Sequence, residues 1–221
     1  MSLHSLQYET RSRVHRAVAQ LERAQAILEF THSVFGHFRG FENDDAYYHL
    51  QALVNRTGLI VLNDPDTDSI GTAIRAVANR WLPELLCVSL VTAFETCLQD
   101  LAQIEIRVRN GVSKEMAGRE AYSLMRGGPQ NYLARLRVLL DLGFLGSDDW
   151  LSTRELVATR NIIVHSFPAK ADTQYVRQAG RFARFLLGEK VEVDARYVVE
   201  QTSNLMFLLQ HFLFEEPRRD V

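Results

Sequence analysis

Residues 155–168 read ELVATRNIIVHSFP, and this stretch decides how the rest of the chain is interpreted. It is predicted to be a helix in which apolar residues surround an arginine and a histidine. Proline cannot continue a helix and disfavours helical angles in the residue before it, so Pro168 ends this helix near His165 or Ser166. His165 therefore lies in the last turn, where unpaired carbonyl groups interact favourably with a cation.

The pattern Arg160-Asn161-x-x-x-His165 occurs once in the chain. For this composition, chance gives roughly 0.03 occurrences. The pattern resembles the signature of the HEPN superfamily, all-α bundle proteins that commonly act as metal-independent RNases in toxin–antitoxin, abortive-infection and other defence systems. The resemblance covers this one helix closely and the remaining helical layout only in general.

The resemblance implies a reaction on single-stranded RNA, because in-line attack needs a flexible backbone. His165 would assist deprotonation of a ribose 2′-hydroxyl or protonation of the leaving 5′-oxygen, and Arg160 would neutralise charge on the pentavalent phosphate. Asn161 would fix the imidazole or donate to a phosphate oxygen. The expected products are a 2′,3′-cyclic phosphate and a 5′-hydroxyl, and the resemblance implies no cofactor or metal.

The five-residue spacing bears on the oligomeric state. Five residues turn a helix by roughly 500°, which leaves Arg160 and His165 some 140° apart. A shared site then requires that the arginine wraps around the helix, that the last turn is distorted, or that a second copy lies alongside. A two-fold dimer meets this need, and HEPN RNases build their cleft across a dimer interface, so we expect a homodimer.

The resemblance also suggests an antitoxin or regulatory protein as a partner, with one departure. Many HEPN toxins paired with a nucleotidyltransferase antitoxin carry a tyrosine two residues after the histidine, which the partner adenylylates. This chain has Phe167 at that position. Without the hydroxyl, that form of control is not expected.

Composition predicts an ordinary cytoplasmic protein. The 221 residues, 47% of them hydrophobic, can fill a core. The sequence contains no 18-residue apolar run, and Met1–Arg16 lacks the apolar stretch of a signal peptide, so no membrane partner is expected. Cys87 and Cys97 lie ten residues apart on one predicted helix, about 15 Å along its axis. That separation is too long for a disulfide, so both are interpreted as core thiols.

Charge is uneven although the net charge is only −2. Residues 101–140 and 150–190 each hold seven basic and three acidic residues, whereas residues 41–100 hold nine acidic and three basic ones. Arg177, Arg181 and Arg184 form a basic stripe on a predicted helix at 171–187. The stripe is either a solvated face or, on an RNase, the surface that binds the phosphate backbone.

The chain is predicted to be all-α, because no β-hairpin signal or repeat interrupts the helical patterns. We divide it into an N-terminal helical extension (1–60), which can pack on the bundle, a HEPN-like helical bundle (61–216) and a charged tail (217–221). Helices are predicted at 7–35, 46–56, 70–81, 85–108, 113–125, 131–142, 148–165, 171–187 and 194–214. The aspartate-rich loop at 63–69 is not interpreted as a calcium site, because its sixth and twelfth positions lack Gly and Glu.

Glu95 lies on the longest predicted helix, and two interpretations of it stay open. It either faces solvent, or faces the motif and orients Arg160 or His165. Two rivals to an RNase also stay open. One is a catalytically inactive HEPN-like module that binds a nucleotide, RNA or a protein partner. The other is a structural bundle in which Arg160 pairs with a buried carboxylate such as Glu95 and His165 only caps its helix.

Overall fold

The computed structural model describes residues 3–37, 81–140, 147–166 and 168–214. These residues contain no strand, and a single isolated β-bridge joins Lys170 to Lys190 among them. The predicted all-α class is therefore confirmed for this part of the chain. Its seven α-helices are α1 (Leu3–His37), α2 (Leu82–Asn110), α3 (Lys114–Leu124), α4 (Pro129–Leu139), α5 (Ser147–His165), α6 (Thr173–Ala179) and α7 (Ala195–Phe214).

Helix α2 is the centre of the bundle, since α1, α3, α4, α5 and α7 all pack against it. Its start and end follow the sequence signals. Pro83 lies in the first turn, where its missing N–H costs nothing. Gly111 ends the helix with a φ of 64° and donates its N–H to the Arg107 carbonyl at 3.1 Å. One face of α2 is buried, and it includes Leu86, Leu90, Phe94, Cys97, Leu98 and Leu101.

Helix α1 packs into the same hydrophobic core as α2 and α7. Its buried stripe includes Val14, Leu21 and Leu28. Ion pairs join it to α2, with Arg13 at 2.9 Å from Asp100 and Arg107 at 2.6 Å from Glu9. Apart from Trp81, the predicted helices at 46–56 and 70–81 and the loop at 63–69 lie outside the described residues. The division into an extension and a bundle stays a prediction.

Two short helices follow α2. Helix α3 begins close to its predicted start, and Ser113 caps it by accepting a hydrogen bond from the Met116 N–H at 3.3 Å. Helix α4 begins at Pro129, two residues before the predicted start. The fixed φ of proline suits the first turn of a helix, so Pro129 starts α4.

Helix α5 ends at His165 as predicted, but the single helix predicted at 171–187 is wrong. Helix α6 ends at Ala179 and is followed by a 3₁₀ turn at Gly180–Phe182. Gly180 has φ 58° and ψ −132°, a conformation outside the helical region that a residue with a Cβ rarely adopts. The apolar periodicity that predicted one helix continued across this glycine, which breaks it.

The segment around α6 is closed at its base. The Ala171 N–H donates to the Glu189 carbonyl at 2.8 Å, and the Val191 N–H donates to the Ala169 carbonyl at 2.9 Å. These bonds flank the Lys170–Lys190 bridge. The two ends of residues 171–189 are therefore joined, while α6 between them packs on α5.

Helix α2 is also the one described helix that is long and apolar enough to span a membrane by length and composition. Half of its apolar window is buried in the protein (50%). The core helix of a soluble protein passes the same test, so this property carries little weight.

Candidate functional site

A cavity of about 560 Å³ lies where α2, α5, α6 and the turn before α4 meet. Helix α2 lines it with Thr92, Glu95, Thr96 and Gln99, whose spacing places them on one face of a helix. Helix α5 lines it with all three motif residues, which are Arg160, Asn161 and His165.

An ion pair joins α5 to α2 inside this lining. The Arg160 guanidinium donates from Nη2 to the Glu95 carboxylate, and the two side chains are 18% and 20% exposed. Of the two interpretations of Glu95, the structure therefore supports the one in which it faces the motif. Because the long arginine reaches across to α2, Arg160 and His165 line one cavity of a single chain despite their angular separation.

The other oxygen of Glu95 accepts a hydrogen bond from the Tyr132 hydroxyl of α4. Burial raises the pKa of Tyr132 far above its usual range, and the Glu95 carboxylate raises it further. The phenol therefore stays protonated and remains a donor. Glu95 is held from two sides, and it holds Arg160 in turn.

The remaining motif groups are open to the cavity. Arg160 keeps a buried Nε with no hydrogen-bond partner among the described residues. His165 is exposed at the end of α5, and Asn161 is half-buried. The last turn of α5 is regular, since the Ser166 N–H donates to the Ile162 carbonyl at 3.0 Å. An anion at this position can thus receive hydrogen bonds from Arg160 donors that Glu95 does not use.

Glu155 is buried, with 1% of its surface exposed, and it connects α5 to α6 and α7. Its carboxylate accepts hydrogen bonds from Thr159 at 2.8 Å and from the hydroxyls of Tyr175 and Tyr197, each at 2.9 Å. Burial raises the pKa of Glu155, while the three hydrogen bonds and Arg184 act in the opposite direction. These contacts fix the helix that carries the motif.

The arginines predicted to bind RNA do not form one helical stripe, because the helix predicted for them ends at Ala179. Arg177 is exposed on α6. Arg181 pairs with Asp148, and Arg184 pairs with Glu200 and lies 4.8 Å above the Tyr197 ring. Two of the three charges are thus engaged within the protein, and the RNA-binding role of all three stays a prediction.

Groups that suit a metal ion are also absent from the part of the chain that the structure describes. No cluster of three or more His, Cys, Asp or Glu side chains occurs there. The two cysteines of α2 are buried as free thiols.

Sequence reasoning named Glu95, Arg160, Asn161 and His165 but missed Tyr132, Glu155 and Gln178. Tyr132 lies 37 residues from Glu95, and Tyr197 lies 42 residues from Glu155. Helical periodicity reports contacts within one turn and cannot report these pairings. A glutamate inside an otherwise apolar stretch was the one available signal for Glu155, since a buried carboxylate needs partners.

A scan against protein-family models and searches of curated proteins and of solved structures find no match to this chain.

Proposed function

We propose that this protein is a metal-independent endoribonuclease of the HEPN type that cleaves single-stranded RNA and acts as a homodimer. One observation carries the proposal: Arg160, Asn161 and His165 line the same cavity, with Arg160 fixed by Glu95. Preorganised donors around a reacting phosphate are the main way in which proteins stabilise the charge that develops there.

The proposed reaction needs side chains of this lining together with His165 of the second subunit in the proposed dimer. His165 takes the proton of the ribose 2′-hydroxyl, the 2′-oxygen attacks phosphorus, and the bond to the 5′-oxygen breaks. A protonated imidazole, His165 of the second subunit in the proposed dimer, returns a proton to the leaving oxygen. Arg160 and Asn161 donate hydrogen bonds to the phosphate oxygens, and the products are a 2′,3′-cyclic phosphate and a 5′-hydroxyl.

The proposed biological setting is a toxin–antitoxin or phage-defence system in the cytoplasm, with an antitoxin or another regulatory protein as partner. This part of the proposal rests on the HEPN-like motif alone. Phe167, which bears on control by adenylylation, lies outside the described residues.

The alternative is an inactive HEPN-like module that binds a nucleotide, RNA or a protein. A specific contact favours a protein without catalysis, whether this module or the structural bundle that the same pair defines: Glu95 already neutralises Arg160, which leaves less positive charge for a transition state. Such a module still binds an anion through the remaining donors of Arg160 but does not turn it over. The two functions therefore differ in cleavage and not in binding.

The deciding experiment is cleavage of a fluorescently labelled single-stranded RNA in the presence of EDTA. Wild type should yield 2′,3′-cyclic phosphate ends by mass spectrometry, and His165→Ala should lose cleavage. His15→Ala is the matched control, because His15 is an exposed histidine on α1 outside the cavity. If wild type binds the RNA but leaves it intact, the inactive module is the correct function. If His165→Ala cuts as fast as wild type, the proposed site is wrong.

Dimer formation is tested separately by analytical ultracentrifugation of the same samples. A sedimenting species of about 51 kDa, twice the 25.3 kDa chain, is expected. A monomer at micromolar concentration that still cleaves RNA would show that one cavity suffices.

A further inference from the structure

We infer that the cavity beside the motif is a binding subsite for a nucleobase, and that it favours adenine at the nucleotide next to the scissile phosphate. The inference rests on the proposed function, because it names the substrate class of the same site. It is carried by the size of the cavity, by the side-chain amides that line it, and by one buried glutamine.

The volume of the cavity suits a nucleotide. A cavity of about 560 Å³ falls within the range of small-molecule pockets, roughly 300–1,000 Å³. A phosphate group held by Arg160 and His165 occupies only a small part of that volume. The rest extends along α2 and α6, and a nucleotide bound by its phosphate at the motif has room there for its base.

The amide groups in the lining match a base better than a second phosphate. Gln99 of α2 and the α6 residues Gln174 and Gln178 all line the cavity. Each carboxamide offers a donor and an acceptor side by side, and this pair of groups forms two hydrogen bonds with the N6 and N7 atoms of adenine. Single-stranded RNA presents these base edges freely, because its bases can be turned out of the stack.

The charges in this part of the cavity also favour a base over a second phosphate. Glu95 is neutralised by Arg160, so it leaves no net charge near α2. Asp172, which caps α6 through the Tyr175 N–H at 2.6 Å, also lines the cavity and is a carboxylate. A carboxylate repels a phosphate and accepts a hydrogen bond from an exocyclic amino group, which adenine, cytosine and guanine have and uracil lacks.

Gln178 is a largely buried side chain that lines the cavity. It is only 4% exposed, and no hydrogen bond from its amide is found within the described residues. The buried side-chain atoms without a partner in the described part of the chain belong to other residues, so the Gln178 amide is not sealed off and can pair with a ligand in the cavity. The Gln178 amide lies close to Gly128, since a Cβ added at residue 128 would lie 3.2 Å from the Gln178 Nε2. The absence of a side chain at residue 128 lets the amide lie against the turn before α4.

The floor of the cavity is rigid. Tyr132 and Tyr175 both line it, and their hydroxyls are held by Glu95 and by Glu155. Both rings are at least 96% buried, with exposures of 4% and 1%. Because these side chains are already ordered, a ligand that binds in the cavity does not have to immobilise them.

The test uses the full-length protein and four probes, AMP, GMP, CMP and UMP, with dissociation constants from isothermal titration calorimetry. Wild type is expected to bind AMP at least about fivefold more tightly than the other three, which is within the discrimination of one good bidentate contact. Equal binding of all four nucleotides, or binding of none, overturns the inference without any variant. Sequencing the RNA cleavage products shows whether the same preference for adenine holds at the cut.

Substitution of Gln178 tests whether this residue produces the preference for AMP. Gln178→Leu removes the amide at similar volume and should reduce AMP affinity about tenfold. Gln178→Glu, which keeps the size but loses the donor, gives a second reading if the leucine variant unfolds. The control is Gln25→Leu on α1, a glutamine outside the cavity. If both Gln178 variants are folded and keep the wild-type preference, the inference is wrong.

The outcomes separate the two proposals. RNA cleavage without base preference and without AMP selectivity removes the base subsite and leaves the ribonuclease. Selective AMP binding that Gln178→Leu abolishes, without any RNA cleavage, supports the subsite and replaces the ribonuclease by the binding module.

Discussion

Arg160 and Glu95 lie 65 residues apart in the sequence and form an ion pair in the lining of the cavity. The contact joins the helix that carries the motif to the central helix of the bundle. It bears on stability and on the proposed chemistry, because a phosphate bound by Arg160 would share this cation with Glu95.

Removing Arg160 should cost stability, whereas removing His165 should not. His165 is exposed, so His165→Ala should change the unfolding free energy by less than about 0.5 kcal/mol. Arg160→Ala leaves Glu95 half-buried without its cation and should cost about 1–2 kcal/mol. Urea unfolding of the two variants measures the difference.

A double-mutant cycle isolates the pair itself. Glu95→Gln and Arg160→Ala, separately and together, should show a coupling free energy of about 1 kcal/mol, above that of most exposed pairs because both side chains are largely buried. Coupling below about 0.3 kcal/mol would mean that Glu95 and Arg160 stabilise the protein independently.

Tyr132→Phe should destabilise the protein by about 1 kcal/mol, because one oxygen of Glu95 loses its donor while the ring and its packing are kept. Thermal unfolding by calorimetry is a suitable measurement. Tyr122→Phe on α3 is the control, since that tyrosine is 56% exposed. The contact is unimportant if the two variants melt at the same temperature.

Glu155 should make stability fall as pH rises through mildly acidic values. Burial raises the pKa of its carboxyl above the ordinary value of 4.5, so the folded state holds this proton to a higher pH than the unfolded state does. Between 4.5 and the raised pKa, unfolding releases a proton and becomes more favourable with increasing pH. The dependence on this group ends above the raised pKa.

Glu155→Gln removes this proton and should abolish that part of the pH dependence in urea titrations from pH 4 to pH 8. Glu155→Ala should instead cost about 3 kcal/mol or more, because the hydroxyls of Thr159, Tyr175 and Tyr197 lose their acceptor. A wild-type profile with the same slope as that of the glutamine variant would contradict the assigned pKa direction.

Gly180→Ala should cost about 1–3 kcal/mol, since its φ of 58° and ψ of −132° lie outside every region open to alanine. Gly111→Ala is the matched comparison. Both glycines have open space around the added Cβ, so only the backbone differs. Gly111 lies in the left-handed helical region, where alanine costs roughly 1 kcal/mol. Chemical denaturation should therefore rank Gly180→Ala as the more damaging change.

Both cysteines should resist iodoacetamide in the folded protein. Cys87 and Cys97 are 0% and 3% exposed, and burial raises the pKa of each thiol to about 12. Alkylation requires the thiolate and access to it. Mass spectrometry should find both unmodified at pH 8 and both alkylated in denaturant. Rapid labelling of either one under native conditions would show that α2 separates from its neighbours.

Most of the helical bounds followed from single residues whose effect is local. Pro83, Gly111, Ser113 and the proline after α5 act through their own backbone or through a cap, so the sequence predicts them well. The end of α6 before Gly180 was not predicted. Glycine inside an amphipathic pattern is compatible with a helix, and only the tertiary structure determined that the chain turns there.

The candidate site was predictable only where it follows the motif. Arg160, Asn161 and His165 share one helix, whereas the partners that position it come from elsewhere in the chain. Glu95 was left with two interpretations because periodicity alone does not identify what a half-buried polar residue faces. Tyr132 and Gln178 had no sequence signal, since a tyrosine or a glutamine on a helix is ordinary in composition.

The hydrogen bonds that join 169–171 to 189–191 give the loop that carries α6 a consequence for evolution. Because its two ends are tied together and Leu186 and Leu187 at its tip are exposed, the tip can be lengthened or shortened while Tyr175 and Ala179 keep α6 packed on α5. Gln174 and Gln178 of the proposed base subsite lie on α6, which stays packed on α5 in such a change. Insertions and deletions at this tip should therefore leave both the motif helix and the proposed subsite in place.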